Sequence, residues 1–232
     1  MFKYSFLDLE KTWDMFSELW ENAIIRSPEM INFQKEEEKF IVDFVKNHGD
    51  DTKILDLGCD SGRCLKVLED NGFNKIYGID ISSKMLRNAK NKTNHAVLLH
   101  HDFRERLPFE NESFDFVIIM GNTLNSGGLF ESDIVLKQAH RVLKKEGFMI
   151  IGSYNAKFMT EDFVKDYYGK FSKEYKFKKF DKKNKTVYFG DKLHSHWLTE
   201  NELKKMVEKS KFKLISIQKK GIGLIVICKR SD

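Results

Sequence analysis

Proline, cysteine and long apolar runs are scarce in this chain of 232 residues, and each scarcity excludes a class of protein. Only 2 prolines occur, so no proline-rich linker is expected. The 3 cysteines (Cys59, Cys64 and Cys228) show neither metal-ligand spacing nor a disulfide framework. No run of 18 apolar residues is present, and the N-terminus lacks a signal-peptide core. These features predict a soluble cytoplasmic protein with no membrane partner and no metal.

The composition is that of a globular protein, because 41% of the residues are hydrophobic and 32% are charged. The net charge of +5 is concentrated in residues 165–185, which hold nine lysines and three acidic residues. This lysine-rich stretch is interpreted either as a solvated surface or as a patch that attracts nucleic acid or an anionic metabolite.

The pattern of apolar residues predicts helices first and an alternation of strands and helices afterwards. Helical spacing runs from about Leu7 to Lys46 and breaks at Ser27-Pro28. Five strands are then predicted, with helices between them: 53–58, 75–80, 96–102, 114–121 and 147–154. The chain ends with a helix and two strands that meet at Gly221 and must be antiparallel.

This order predicts an α/β fold with a doubly wound, seven-stranded and mostly parallel sheet that has one antiparallel strand. Residues 1–48 form an N-terminal helical cap in this interpretation. Residues 157–198 form an insertion after the fifth strand, over the carboxyl ends of the strands. The whole chain, 1–232, is expected to be a single domain.

The first predicted strand ends in a glycine-containing loop, Asp56 to Gly62. A dinucleotide fingerprint would need glycine at positions 58, 60 and 63, and only Gly58 fits. Asp60 would repel a pyrophosphate. Asp80 ends the second predicted strand, where a carboxylate can accept both hydroxyls of a ribose. The acidic surroundings favour a cationic nucleoside, and S-adenosylmethionine (SAM) has a sulfonium, an ammonium and a ribose but no phosphate.

The chain resembles the class I SAM-dependent methyltransferases of the small-molecule type. The segments ILDLGCDSG, YGIDISSKMLRNAK, HHDFRERLPFENESFDFVIIMG and LKQAHRVLKKEGFMIIGSYN resemble family motifs in family order, across residues 50–155. Residues 198–229 resemble the family in outline. One departure is Asp60, which replaces the middle glycine of the first motif and is expected to brace the loop or to contact the methionine ammonium.

The resemblance implies SAM as cofactor and S-adenosylhomocysteine as product. It assigns twelve residues to the donor site: Asp56, Gly58, Cys59, Asp60, Gly62, Asp80, Ile81, Met85, Asp102, Phe103, Met120 and Gly121. The first five would hold the methionine moiety, and the next three the ribose and the adenosine. Asp102 would accept from the adenine amino group, and Phe103 would donate its backbone N–H to the ring. Met120 and Gly121 would lie near the sulfonium. Without the resemblance, Ile81, Met85 and Met120 would be interpreted as core residues.

The acceptor class is predicted from the loop after the fourth strand. This loop begins at Gly121 and has no Asn/Asp-Pro-Pro sequence, which argues against amino methylation of nucleic-acid bases, and no cysteine lies there for cytosine-carbon methylation. Its Gly-Asn-Thr-Leu-Asn run resembles small-molecule N-methyltransferases. Methyl transfer to nitrogen or oxygen of a small molecule is therefore predicted.

Four residues are candidates for positioning or deprotonating the acceptor: Asn122, Tyr154, His194 and His196. Asn122 could instead be a turn residue, and the two histidines exposed residues of a strand. Trp13 and Tyr4 are further candidates for the pocket, although Trp13 and Trp20 also fit the core. Two alternatives stay open: an RNA or protein methyltransferase that uses the lysine-rich stretch, and a non-catalytic SAM-binding subunit.

Overall fold

A computed structural model describes residues 5–21, 27–49, 51–126, 129–169, 177–189 and 193–231. Within these residues lie ten strands: β1 (Lys53–Leu57), β2 (Lys75–Asp80), β3 (Val97–His100), β4 (Phe114–Ile119), β5 (Leu143–Tyr154), β6 (Phe177–Asp181), β7 (Thr186–Phe189), β8 (Leu193–His196), β9 (Phe212–Lys220) and β10 (Gly223–Arg230). The helices are α1 (Phe6–Glu21), α2 (Pro28–Lys46), α3 (Arg63–Asp70), α4 (Ser83–Lys92), α5 (Leu129–Val142), α6 (Glu161–Tyr168) and α7 (Glu200–Lys209). Tyr4 and residues 170–176 of the lysine-rich stretch lie outside the described residues.

Seven strands form one sheet in the order β3-β2-β1-β4-β5-β10-β9. Strand β10 runs antiparallel to both of its neighbours, and the other pairs are parallel. The predicted fold class, a doubly wound sheet with a single reversed strand, is therefore confirmed. The order changes direction beside β1, and ligands of such sheets bind at this point, outside the carboxyl ends of the strands.

Successive side chains of the central strands point to opposite sides of the sheet, and helices cover both faces. On one face, Ile54 and Phe116 belong to the same apolar cluster as Ile41 of α2. On the other face, Leu55 and Val117 share a cluster with residues of α5. The two helical layers hold the strand ends in place, so the loops that follow β1, β2 and β4 project from a rigid base.

Residues 157–198 follow β5 and add α6 and a separate antiparallel sheet of order β6-β7-β8. Strands β7 and β8 pair antiparallel, with Thr186 opposite His196. Two isolated bridges, Ser126 with Ser195 and Asn155 with Leu198, connect this segment to the loops at the carboxyl edge of the main sheet. Trp197 is buried, and its ring centroid lies 4.9 Å from that of Tyr154.

The helix boundaries follow local signals. Pro28 is the first residue of α2, and the Ser27 hydroxyl accepts the Met30 N–H at 3.3 Å, so this helix begins at the predicted break. Helix α7 starts with a capping box formed by Thr199 and Glu202. None of the described helices has the combination of length and apolar character that crossing a bilayer requires.

Candidate functional site

A cavity opens where the carboxyl ends of β1, β2, β4 and β5 meet, and it encloses about 1200 Å³ when its opening to solvent is counted. The loops that follow these strands form its floor. One wall is the α1 face, which we define as Leu9, Trp13 and Phe16. Another is the insertion wall, defined as Tyr167, Tyr168 and Ser195. The cavity is therefore built partly from the main sheet and partly from segments far from it in sequence.

The loop after β1 passes close to the loop after β4. Gly58 has φ +76°, and a Cβ atom at this position would overlap the methyl carbon of Thr123. The N–H groups of Gly58 and Cys59 both donate to the carbonyl of Ile79, at 2.8 and 3.0 Å. Glycine at position 58 thus lets the backbone turn beside β2 and line the cavity.

Two carboxylates face the cavity next to this loop. The Asp60 N–H donates to Asp80 Oδ2 at 2.9 Å, and the Ser82 N–H donates to Asp80 Oδ1 at 2.8 Å. Burial raises the pKa of Asp80 to about 7, and the nearby Asp60 carboxylate acts in the same direction. A carboxylate can accept about four hydrogen bonds. Asp80 can therefore also accept hydrogen bonds from a ligand in the cavity.

A third carboxylate, Asp56, lies behind the loop and is 2% exposed. Its Oδ1 atom has no hydrogen-bond partner. Burial raises the pKa of Asp56 to about 8, although the Arg63 guanidinium opposes this shift. We call Asp56, Asp60 and Asp80 the acidic end of the cavity. An unsatisfied buried acceptor among three acids favours a ligand that brings N–H donors or positive charge.

The α1 face is held by Asp14. Its carboxylate accepts hydrogen bonds from the Ser82 hydroxyl at 2.6 Å, the Ser83 hydroxyl at 3.1 Å and the Lys84 N–H at 3.0 Å. These groups form the N-terminus of α4, where a negative charge is favourable. Burial raises the pKa of Asp14, but these hydrogen bonds outweigh it and hold the pKa below its usual value. Helix α1 is thus fastened two residues from Asp80.

Asn122 connects three parts of the structure. It has φ +67°, which asparagine tolerates better than most residues. Its Oδ1 atom accepts from Asn125 Nδ2, the Ser153 hydroxyl and the Tyr154 N–H, each at 3.2 Å. Its Nδ2 atom donates to Ser195 Oγ at 3.4 Å and to the carbonyl of residue 196 at 3.3 Å. The amide therefore joins the loop after β4, the end of β5 and the insertion.

Comparison with known proteins agrees with this geometry. Residues 55–151 match the family model described as a methyltransferase domain. An uncharacterised protein of Methanocaldococcus jannaschii is 33% identical over 159 residues, which are 67% of this chain and 55% of that protein. The chain thus spans about half the length of this curated relative.

Two solved structures share the fold. The PH0226 protein of Pyrococcus horikoshii has a TM-score of 0.68 at 24% identity, covering 89% of this chain and 93% of that one. The 1,6-didemethyltoxoflavin-N1-methyltransferase of Burkholderia thailandensis, with 1,6-didemethyltoxoflavin and S-adenosylhomocysteine bound, has a TM-score of 0.65 at 13% identity, covering 97% and 88%. Residues 55–151 are a class I methyltransferase domain.

Most residues that the sequence assigns to the donor site line the cavity of this methyltransferase domain. The eight that do so are Gly58, Asp60, Asp80, Ile81, Met85, Asp102, Phe103 and Gly121. Asp60 has φ +51°, and its Oδ1 atom accepts the Ser61 N–H at 2.5 Å. This local hydrogen bond agrees with the predicted bracing role and explains how aspartate occupies the position of the family's middle glycine.

Four predicted donor-site residues of the methyltransferase domain lie behind the cavity wall: Asp56, Cys59, Gly62 and Met120. Cys59 packs its sulfur against Gly78. A Cβ atom on Gly62 would lie 2.9 Å from that of Ala89, so this glycine lets α3 and α4 approach each other. Met120 packs near Gly152. Cys59, Gly62 and Met120 thus contribute to the packing behind the cavity wall, and their contacts with the donor stay predictions.

Asp102, which is predicted to accept from the adenine amino group, has a protein partner of its own. The Arg104 Nε atom lies 2.9 and 3.0 Å from the two Asp102 oxygens, and Arg104 Nη2 lies 2.6 Å from Oδ2. The Arg104 N–H donates to Oδ1 as well, at 2.9 Å. Asp102 is thus engaged by a buried arginine that the sequence analysis did not identify. Phe103, between them, keeps its place in the cavity lining.

Two of the four acceptor-side candidates line the cavity and two do not. Asn122 and Tyr154 line the cavity, but the Asn122 amide is occupied by the contacts described above. His194 and His196 share one face of β8, as the alternation predicts, yet Ser195 is the residue of β8 that lines the cavity. His196 Nδ1 lies 2.8 Å from Thr186 Oγ1, and burial lowers the pKa of His196. Neither histidine is among the residues that line the cavity, and a general-base role for them stays a prediction.

Several residues that form or support the cavity were not predicted from the sequence, although for some of them the sequence holds a weak indication. Tyr167 and Tyr168 are an aromatic pair in an otherwise polar helical segment, and both are buried. Ser195 stands between the two histidines and follows from the same alternation once the other face of β8 is considered. Asp14 offers no local signal, because its partners lie 68 to 70 residues away.

Replacing Asp56 with asparagine should stabilise the ligand-free protein, and more at pH 8 than at pH 6. A carboxyl whose pKa is higher in the folded state than in the unfolded state lowers stability as the pH rises from about 4 to about 8. Asparagine removes this dependence. Thermal unfolding should show a higher melting temperature than wild type at both pH values. The difference should be a few degrees larger at pH 8 than at pH 6, since a stability change of 1 kcal/mol shifts the melting temperature by roughly 2–4 °C.

The exposed Asp51 provides the control for this experiment, since its replacement by asparagine should shift the melting temperature equally at both pH values. A gain from the Asp56 substitution that does not change with pH would show that the Asp56 carboxyl titrates normally in the fold.

Proposed function

We propose that this chain is a SAM-dependent methyltransferase that transfers a methyl group to nitrogen or oxygen of a small molecule. The observation that carries the proposal is the acidic end of the cavity. Three carboxylates converge at the loop after β1, and one buried oxygen, Asp56 Oδ1, has no partner. A cationic adenosyl donor would favour the ionised forms of these acids and be stabilised by them, whereas a phosphate-bearing dinucleotide would gain no such stabilisation.

The residues fit the chemical groups of SAM. Asp80 retains acceptor capacity beside the cavity and suits the ribose hydroxyls. Asp60 suits the methionine ammonium, and Asp56 behind the wall adds an acidic group to that end of the cavity. Ile81 and Met85 offer apolar surface to the adenine. Gly121 borders the cavity after β4, on the side assigned to the sulfonium. We infer further that the 1–48 cap, the main sheet and the 157–198 insertion work together as a single domain.

When bound, SAM would supply an electrophilic methyl group on a positively charged sulfur. The chain's own task is to align an acceptor lone pair with that carbon and to exclude water. Such alignment can contribute roughly 7–11 kcal/mol. The α1 face and the insertion wall suit both tasks, because they narrow the cavity with buried aromatic side chains. A base is required only for an acceptor that must first lose a proton.

The largely apolar lining of the cavity favours a small acceptor over a macromolecule. Aromatic and aliphatic side chains dominate its lining, as they do in typical small-ligand sites. The Burkholderia enzyme of the same fold holds a small heterocycle together with S-adenosylhomocysteine. In contrast, Lys178, Lys179, Lys182 and Lys183 of the lysine-rich stretch are exposed and are not among the residues that line the cavity.

Isothermal titration calorimetry tests the proposal. The protein should bind SAM and S-adenosylhomocysteine with micromolar dissociation constants, and NAD should not bind measurably. Binding of NAD without binding of SAM would overturn the proposal. Strong RNA binding with a steep salt dependence, alongside SAM binding, would favour the RNA acceptor instead. SAM binding without turnover of amines, phenols or RNA would favour the non-catalytic subunit.

A further inference from the structure

A completely buried acid from α2 reaches the carboxyl edge of the main sheet. Glu37 is 0% exposed. Its Oε1 atom accepts the backbone N–H of Gly121 at 2.9 Å, and its Oε2 atom accepts from Arg63 Nη2 at 2.7 Å. Glu37 thus connects the helical cap to the loop after β4 and to the first residue of α3.

The main sheet leaves space for this carboxylate. A Cβ atom on Gly152 of β5 would overlap Glu37 Oε1, so a larger residue at position 152 would displace the acid. Both Glu37 oxygens accept hydrogen bonds from N–H donors, which is the pattern of an ionised carboxylate. Burial raises the pKa of Glu37, while Arg63 and the Gly121 N–H act in the opposite direction.

Arg63 brings a positive charge to the edge of the donor site. A Cβ atom on Gly121, which lines the cavity, would lie 3.9 Å from Arg63 Nη2. Arg63 Nη1 donates to the carbonyl of Gln34 at 2.9 Å and to Glu38 Oε1 at 3.2 Å. The guanidinium is therefore fixed just behind the wall that, in the proposed function, lies near the sulfonium.

This placement poses an electrostatic problem for a cationic ligand. Two positive charges within several ångströms repel each other strongly in a partly buried site. Glu38 is 28% exposed, so solvent screens its charge, whereas the Glu37 carboxylate is fully removed from water. Glu37 is the acid best placed to compensate Arg63 on the side of the cavity.

We propose that Glu37 is a charge-balancing residue that strengthens binding of the cationic donor SAM relative to binding of its neutral product S-adenosylhomocysteine. This inference rests on the proposed function. Glu37 does not touch the ligand in this role. It neutralises Arg63 and fixes Gly121, so that the acidic end keeps its excess of negative charge where the sulfonium binds.

Calorimetry on four variants tests this role through the ratio of the dissociation constants for SAM and S-adenosylhomocysteine. Glu37→Gln keeps the size of the side chain and an acceptor for the Gly121 N–H but removes the charge. It should raise the ratio about tenfold. Arg63→Met should lower the ratio, and the double variant should return it towards the wild-type value. The exposed Glu36, which pairs with Lys220 at 3.1 Å, supplies the control Glu36→Gln with an unchanged ratio.

The outcomes are distinguishable. An equal loss of affinity for both ligands in Glu37→Gln would show a purely structural role and would overturn the inference. If Glu37→Gln does not fold, Arg63→Met decides the matter, because an unchanged or increased ratio in that variant also overturns it. A wild-type protein that binds neither ligand would overturn the proposed function and this inference with it. Binding of both ligands by the wild type, with ratios that no variant moves, would overturn the inference alone.

Discussion

Replacing Asp80 with alanine should raise the dissociation constant for SAM by about a hundredfold or more. In the proposed complex the Asp80 carboxylate accepts both ribose hydroxyls, and hydrogen bonds to a charged group contribute roughly 1.5–3 kcal/mol each. The substitution also removes the acceptor of the Asp60 N–H, so the loop after β1 loses a support. Isothermal titration calorimetry measures the change directly, and Asp80→Asn, which keeps one acceptor oxygen, should lie between alanine and wild type.

Asp115 offers a matched control for this substitution. It also lies on a strand of the main sheet and accepts a backbone N–H, that of Lys53 at 2.9 Å, but at the amino end of β4, away from the cavity. Asp115→Ala should therefore lower thermal stability and leave the dissociation constant for SAM unchanged. An unchanged dissociation constant in Asp80→Ala would contradict the assignment of Asp80 to the ribose.

Replacing Gly58 with alanine should destabilise the protein by about 2–5 kcal/mol and abolish measurable SAM binding. The left-handed backbone at φ +76° costs roughly 1–2 kcal/mol with a side chain present. The overlap with the Thr123 methyl group adds an overpacking cost of roughly 1–3 kcal/mol. Thermal or denaturant unfolding measures the loss of stability, and calorimetry measures the loss of SAM binding.

Two further variants separate backbone strain from the clash. Gly72 has φ +90° and nothing within 4 Å of a Cβ atom, so Gly72→Ala should show the strain alone. Thr123→Ser removes the clashing methyl group and keeps the hydroxyl that donates to the carbonyl of Met120 at 2.7 Å. Added to Gly58→Ala, it should recover a large part of the lost stability. Equal losses for the two alanine variants, or no recovery, would contradict the proposed contact.

The main sheet and the acidic end could be predicted because their signals are local. Apolar runs that end in glycine or aspartate identify the strands, and parallel strands place their carboxyl ends at one edge. The meeting of Asp60 and Asp80 follows from these two facts. The same reasoning did not find the partner of Asp102, because Arg104 resembles an ordinary surface charge until its burial is known.

The remaining features depend on contacts between distant segments. Glu37 is the middle acid of Glu36-Glu37-Glu38, and only its helical spacing from Phe33 and Ile41 places it on the buried face of α2. Its burial arises from Arg63, 26 residues away, and from the space at Gly152. Similarly, alternation in β8 predicts that His194 and His196 share one face and that Ser195 lies on the other. Which face meets the cavity depends on how the insertion packs on the sheet.

The insertion wall has a consequence for the history of this protein. Tyr167, Tyr168 and Ser195 lie outside residues 55–151, the region common to the methyltransferase family model, whereas Asp60 and Asp80 lie within it. In the proposed function, mutations can therefore remodel the surface that meets the acceptor while the residues that bind the donor stay unchanged. Lineages that inherited the same sheet could diverge in the molecules they modify by exchanging this one segment.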